Sequence, residues 1–249
     1  MDATEKYLRI LMHAMDGALD APGLMENLEV QEAVWNTVFD EDGPRVADTK
    51  PSDKSRFVAT KLFHGFSEIF SSRERLKQIE QYIKRFPYRD TGISRLDYLR
   101  YHIENWLNEV YILKERMIAY NTAITRSYRK SNNADLLESQ LSQSSKSVSA
   151  SLQGVISVRG AHVHNSRYTD DDLDRLRTLE LLLLAESELT PIFRKLYLEV
   201  YKSTRRKWFK NMRTNHDAIE IILNAYSQTL IDCVTEGEVV VFPSNTKWA

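Results

Sequence analysis

The sequence predicts an all-α protein, an antiparallel bundle of long helices, and three observations predict it. Eight glycines and six prolines in 249 residues are about half the usual share of roughly 12% for the two together. Sheet-rich folds need frequent turns bearing one or the other. Apolar residues recur at alternating intervals of three and four through Leu96, Leu99, Ile103, Trp106, Val110, Leu113, Met117, Tyr120 and Ile124, which is the a/d seam of a helix packed along its neighbours. Further helical stripes flank this segment on both sides, favouring a bundle over a lone coiled coil.

Taken in order, Tyr7, Leu8, Leu11, Met12 and Met15 share one helical face, and Leu28, Val34, Trp35 and Val38 another over residues 25–39. The turn-forming DGALDAPG joins them. Residues 40–54 (DEDGPRVADTKPSDK) carry two prolines, a glycine and little apolar content, which reads as a linker or loop. Residues 1–55 therefore form an N-terminal helical extension and loop, with the bundle over 56–234 and a tail over 235–249.

Within the bundle, Phe57, Leu62, Phe66 and Phe70 form one helical segment, and Leu76, Ile79, Ile83 and Phe86 a second, before PYRDTG at 87–92 interrupts. The heptad seam predicts a helix over 93–129. Residues 139–151 contain seven serines, as a flexible linker would. Yet Leu137, Leu141, Val148, Leu152 and Val155 keep a helical stripe running through them, and helix is the reading preferred. Thr169, with Asp172 three residues later, forms an N-cap for the next helix. That helix carries Leu173, Leu176, Leu179 and Leu183, is kinked at Pro191, and continues through Phe193, Leu196, Val200 and Tyr201. A last helix spans 215–234, and EVVVFPSNTKWA adds one short strand or is unfolded.

The bulk composition is that of a globular chain: 42% hydrophobic, 28% charged, mean hydropathy -0.45. The only cysteine, Cys233, cannot form an internal disulfide. The longest apolar run, residues 179–185 interrupted by Glu180, is far short of the ~20 residues a membrane span needs. The N-terminus shows no signal-peptide pattern, so a cytoplasmic protein without membrane association is expected.

The net charge of -1 argues against a nucleic-acid binder, but its distribution differs. Basic against acidic residues number 4 and 11 over 1–50, 16 and 9 over 51–130, 7 and 10 over 131–200, and 7 and 5 over 201–249. The densest cluster is Lys202, Arg205, Arg206, Lys207, Lys210 and Arg213, with no acid from 202 to 213 and with Trp208 and Phe209 among the bases. Such a cluster can hold phosphates, and its aromatics can stack on bases. The more common outcome of such a run is a solvated helix face paired with acids elsewhere in the fold.

No Gly-rich phosphate loop, HExxH, GxSxG or CxxC motif is present. His102 with Glu104 and Glu109 is the only near-clustered set of metal-ligand types, and beside the seam residue Ile103 a packing role fits it better than ligation. What remains is residues 159–165, RGAHVHN. Continuing the stripe of Leu141, Val148, Leu152 and Val155 by four places lands on Arg159, where an aliphatic residue was due. An arginine there needs an anionic partner. His162 lies about 60° from Arg159 around an ideal helix and His164 about 140°. Two arrangements satisfy these residues. In one, Arg159 pairs with a buried acid such as Glu104 or Glu109 and the imidazoles are polar groups at a helix end; in the other, the three side chains face a ligand.

Arg159, four residues, then His164, near the end of a helix in an all-α bundle, resembles the Arg-x4-6-His motif of the HEPN superfamily, and the likeness covers roughly residues 56–234. Gly160 stands where active members usually carry a polar residue, and Ser166 stands where some toxin members carry a tyrosine. The resemblance implies a homodimer that brings two motifs together and cuts RNA without a metal or other cofactor. It also implies a toxin or phage-defence setting, with an antitoxin or regulatory protein as a further partner. Arg159 and His164 would be catalytic, with His162 as a second acid/base or phosphate donor. Arg205, Arg206, Lys207 and Lys210 would guide the RNA backbone.

Overall fold

Those stripes form six α-helices among the described residues of the computed structural model, which are 2–19, 57–87, 92–165 and 168–243; at 16–19, 59 and 159–165 the description is of the main chain alone. They are α1 (Ala3–Leu19), α2 (His64–Tyr82), α3 (Arg95–Tyr128), α4 (Ala134–Asn165), α5 (Asp171–Leu184) and α6 (Thr190–Val234). A π-helical segment, Val58–Phe63, leads into α2. After α6 comes a minimal hairpin, β1 (Thr235–Glu236) and β2 (Val239–Val240), antiparallel with Thr235 opposite Val240 and Glu236 opposite Val239. Gly237 has φ of 65° at the first position of its two-residue loop, where glycine carries no Cβ penalty. The protein is an all-α helical bundle. The predicted helix over 25–39, the loop over 40–54, most of the 87–92 break and the end of the tail lie outside the described residues.

The heptad seam is the core of α3: all nine of its residues are at most 4% exposed. The serine-rich stretch is helix, with Leu137, Leu141, Val148 and Leu152 buried and the serines at or near solvent. Three local expectations need correction. The segment after residue 57 does not break near 70, and from His64 onward it is one α-helix. The cap of α5 is Asp170, not Thr169: its Oδ1 accepts the Leu173 amide at 2.9 Å, and Thr169 Oγ1 donates to Asp174 instead. Finally, α6 is a single helix of 45 residues. Pro191 stands in its first turn, where its missing N–H costs nothing, and Asn215 donates to the Asn211 carbonyl at 2.8 Å inside the helix rather than starting a new one.

The chain forms two compact units. The first comprises Met1–Glu68, Met117–Lys146 and Leu223–Ala249. Three of its buried tyrosines are tied to main-chain carbonyls, since a buried hydroxyl needs a hydrogen-bond partner. Tyr120 donates to the Leu62 carbonyl at 3.0 Å and shares a 2.9 Å hydroxyl contact with Tyr7. Tyr226 donates to Met117 O at 2.9 Å, and Tyr128 to Val241 O at 2.6 Å. Glycine is required at Gly65, where a Cβ would come within 2.5 Å of the Tyr120 ring. Cys233 is buried, its thiol donating to Gln140 Oε1 at 3.2 Å.

The second unit comprises Ile69–Arg116 and Ser147–Ile222. Leu76, Leu99, Ile103, Val110, Leu173 and Leu176 are among its buried residues. In this unit Arg73, 7% exposed, donates both Nε and Nη2 to the Glu220 carboxylate.

Candidate nucleic-acid interface

Arg159, His162 and His164 lie on the last two turns of α4, whose main chain is helical through Asn165; their side chains lie outside the described residues. The acids that the sequence offers to Arg159 have other partners. Glu104 Oε1 accepts the Tyr168 amide at 3.1 Å. Glu109, 7% exposed, is faced by Arg116 at 3.8 Å and Arg75 at 3.9 Å. His102 is buried against the rings of Tyr98, Tyr101 and Tyr82, with centroids 4.4, 5.3 and 5.6 Å away, and its Nδ1 has no hydrogen-bond partner. Burial lowers its pKa, because the charged imidazolium loses hydration there. Among the described residues no cluster of three or more His, Cys, Asp or Glu side chains has a metal-holding arrangement.

The short connection after α4 is fastened to the basic segment of α6. Tyr168, four residues beyond His164, is 8% exposed and sets its ring edge-on to Trp208, centroids 5.3 Å apart. Trp208 in turn donates its indole N–H to Asp170 Oδ2 at 3.0 Å. In the first turn of α5, Asp172 Oδ2 accepts from Lys207 Nζ at 2.6 Å. That hydrogen bond and the Asp172 charge raise the Lys207 pKa. Burial, followed by the nearby Asp170 charge, pushes the Tyr168 hydroxyl up to about 12.

This divides the basic residues into two groups. Trp208 is buried and cannot stack on a base; Lys207 is engaged by Asp172. Arg205 is half-buried and lies over the Tyr201 ring at 5.8 Å. Phe209 carries the Lys84 ammonium over its face at 5.0 Å, a contribution that sequence distance concealed. The second group is Lys202, Arg206, Lys210 and Arg213, all exposed and none in an ion pair among the described residues. Their spacing of four, four and three residues puts them on one stripe of α6, about 16 Å long. Of the four residues expected to contact RNA, Arg206 and Lys210 are therefore on the open face, with Lys202 and Arg213 extending it.

No protein family, curated protein or solved structure matches the chain. Among the described residues no helix is long and apolar enough to cross a membrane.

Proposed function

We propose that the protein binds RNA along the Lys202, Arg206, Lys210 and Arg213 stripe and cleaves it, in HEPN fashion, with Arg159, His164 and His162. The observation that carries this reading is the Tyr168–Trp208 contact. It fastens the chain just beyond the Arg159 to His164 turn to the helix bearing the unpaired cations. The stripe lies on the face of α6 turned away from Trp208, so the contact ties the turn to the same helix as the stripe without placing the two side by side.

The chemistry suits these side chains. One imidazole, neutral, takes the proton of a ribose 2'-hydroxyl as that oxygen attacks phosphorus. The bond from phosphorus to the 5'-oxygen breaks, and the other imidazole, protonated, gives that oxygen its proton. The products are a 2',3'-cyclic phosphate and a 5'-hydroxyl. Arg159 stabilises the charge that builds on the phosphoryl oxygens. No metal or cofactor takes part. The family likeness extends the proposal to a homodimer pairing two such turns, in a toxin or phage-defence setting with an antitoxin or regulatory partner.

The test is RNA cleavage by the purified protein in EDTA. Arg159→Ala and His164→Ala should each reduce it by at least ~100-fold, as loss of an acid/base or oxyanion group does, while the helical circular dichroism stays intact. Cleavage surviving both substitutions overturns the site. The second reading, a non-catalytic module that binds RNA, nucleotide or a protein, is favoured by the stripe itself, which needs no reacting group to hold a strand. Salt-sensitive RNA binding without cleavage of any RNA selects it.

A further inference from the structure

We infer that the cleft between α2 and α3, in the second unit, is a nucleobase site that takes adenine or cytosine, the bases with an exocyclic amino group beside a ring-nitrogen acceptor. That base would come from the RNA strand proposed above, and to that extent the site rests on the RNA-binding reading. The cleft encloses about 590 Å³. Arg75, Ile79 and Tyr82 line it from one face of α2, and Asn105, Glu109 and Ile112 line it from α3 at the same spacing of four and then three. Ile79 and Ile112 offer apolar surface to the flat faces of a ring. Tyr82, 51% exposed, is the open aromatic, because Tyr111 already carries the Lys114 ammonium over its face at 5.2 Å. Stacking on such a ring, with hydrogen bonds to the base edge, is how proteins commonly hold unpaired bases.

The polar groups of the cleft suit that edge. Its lining carries one guanidinium and one carboxylate, Arg75 and Glu109, so it has no excess charge to select a phosphate. Arg75 and Arg116 face the Glu109 carboxylate at 3.9 and 3.8 Å, beyond hydrogen-bond length. They balance its charge and leave its lone pairs unfilled. Glu109 Oε1 is shut off from solvent, whereas Oε2, the oxygen beside Arg75, is not. A carboxylate only accepts, so Oε2 calls for an N–H. Asn105 is half-buried and makes no hydrogen bond among the described residues. Its amide sets a donor beside an acceptor, which complements the amino group and ring nitrogen of adenine or cytosine. Uracil has a carbonyl oxygen where those bases carry the amino group, and would meet Oε2 with like charge. A sugar ring would need polar partners around its whole rim, and Ile79 and Ile112 provide none.

The experiment is a nuclear magnetic resonance titration of the full chain with adenosine, cytidine and uridine, followed on the side-chain amide signals of Asn105 and of Gln78, which also lines the cleft. Adenosine and cytidine should shift these signals, and uridine should bind at least ~5-fold more weakly. Tyr82→Ala and Asn105→Ala should each weaken adenosine binding at least ~5-fold, read on Gln78 in the second variant, while the helical circular dichroism stays as in wild type. Three results overturn the site: no shift with any nucleoside, uridine binding as tightly as adenosine, or adenosine binding that survives both substitutions. Ribose shifting the same signals as strongly as adenosine would also overturn it and mark a sugar site. The nucleosides carry no phosphate, so the α6 stripe takes no part in their binding. RNA binding can therefore fail while adenosine binds, and adenosine can fail to bind while the stripe still holds RNA.

Discussion

Glu220 gathers three basic side chains. Arg73 donates to it at 2.6 to 2.9 Å, His216 Nε2 is 3.3 Å away, and Lys77 is 3.9 Å away. Burial is the largest single influence on its pKa and acts upward. The hydrogen bonds from His216 and Arg73, with the charges of Arg73 and Lys77, together outweigh it and bring the group down to about 2 from an ordinary 4.5. A carboxylate held lower in the folded state than in the unfolded one stabilises the fold above the unfolded pKa. That stability is lost as pH falls from about 4.5 to about 2. Glu220→Gln should therefore remove this acid limb and cost about 2 kcal/mol at neutral pH; part of the shift is discounted because a quarter of the side chain, 26%, still meets solvent. Urea unfolding of both proteins at pH 7 and pH 3 checks it. An unchanged difference between wild type and variant across that range would count against the assignment. This group was not legible in the sequence, because 147 residues separate Arg73 from Glu220.

At the level of elements, what the sequence revealed depended on whether apolar residues filled every position of a helical stripe. In α3 they did, and the helix expected over 93–129 is Arg95–Tyr128. In α6 the buried face passes through Thr204, 1% exposed, and half-buried His216 between Trp208, Met212 and Ile219. Polar residues thus interrupt the pattern while the packing continues, and Pro191 and Asn215 look like breaks. The division of the basic cluster follows from the register of that helix. Its functional consequence is measurable by salt titration of RNA binding. Arg206→Ala and Lys210→Ala should each reduce the slope of log K against log salt by about 1. Lys207→Ala should leave that slope nearly unchanged and cost about 1 kcal/mol of stability or less, since the lysine end of its ion pair is 58% exposed. Equal slopes losses from all three variants would mean that the Asp172 contact does not withdraw Lys207 from the binding face. The last turn of α4 was the most legible part of the candidate site: Arg159 broke an apolar stripe, and the helix does reach Asn165.

At the scale of the whole molecule, the two units are each assembled from stretches far apart in the chain, an arrangement that composition read along the sequence does not reveal. The near-zero net charge is equally uninformative, because it does not show that four exposed cations share one stripe of α6. Cys233 has a use at this scale. It is the only thiol in the chain, and it is 7% exposed; burial, and next the Asp232 charge, push its pKa up to about 11. Reaction with a thiol reagent needs the thiolate and access to it, and both are withheld while the first unit stays closed. Labelling at pH 8 should therefore run at least ~100-fold slower than in the urea-unfolded chain, and comparable rates would show that the thiol is reachable without opening. A single buried sulfur thus acts as a molecular clock, each modified chain recording one excursion from the native state.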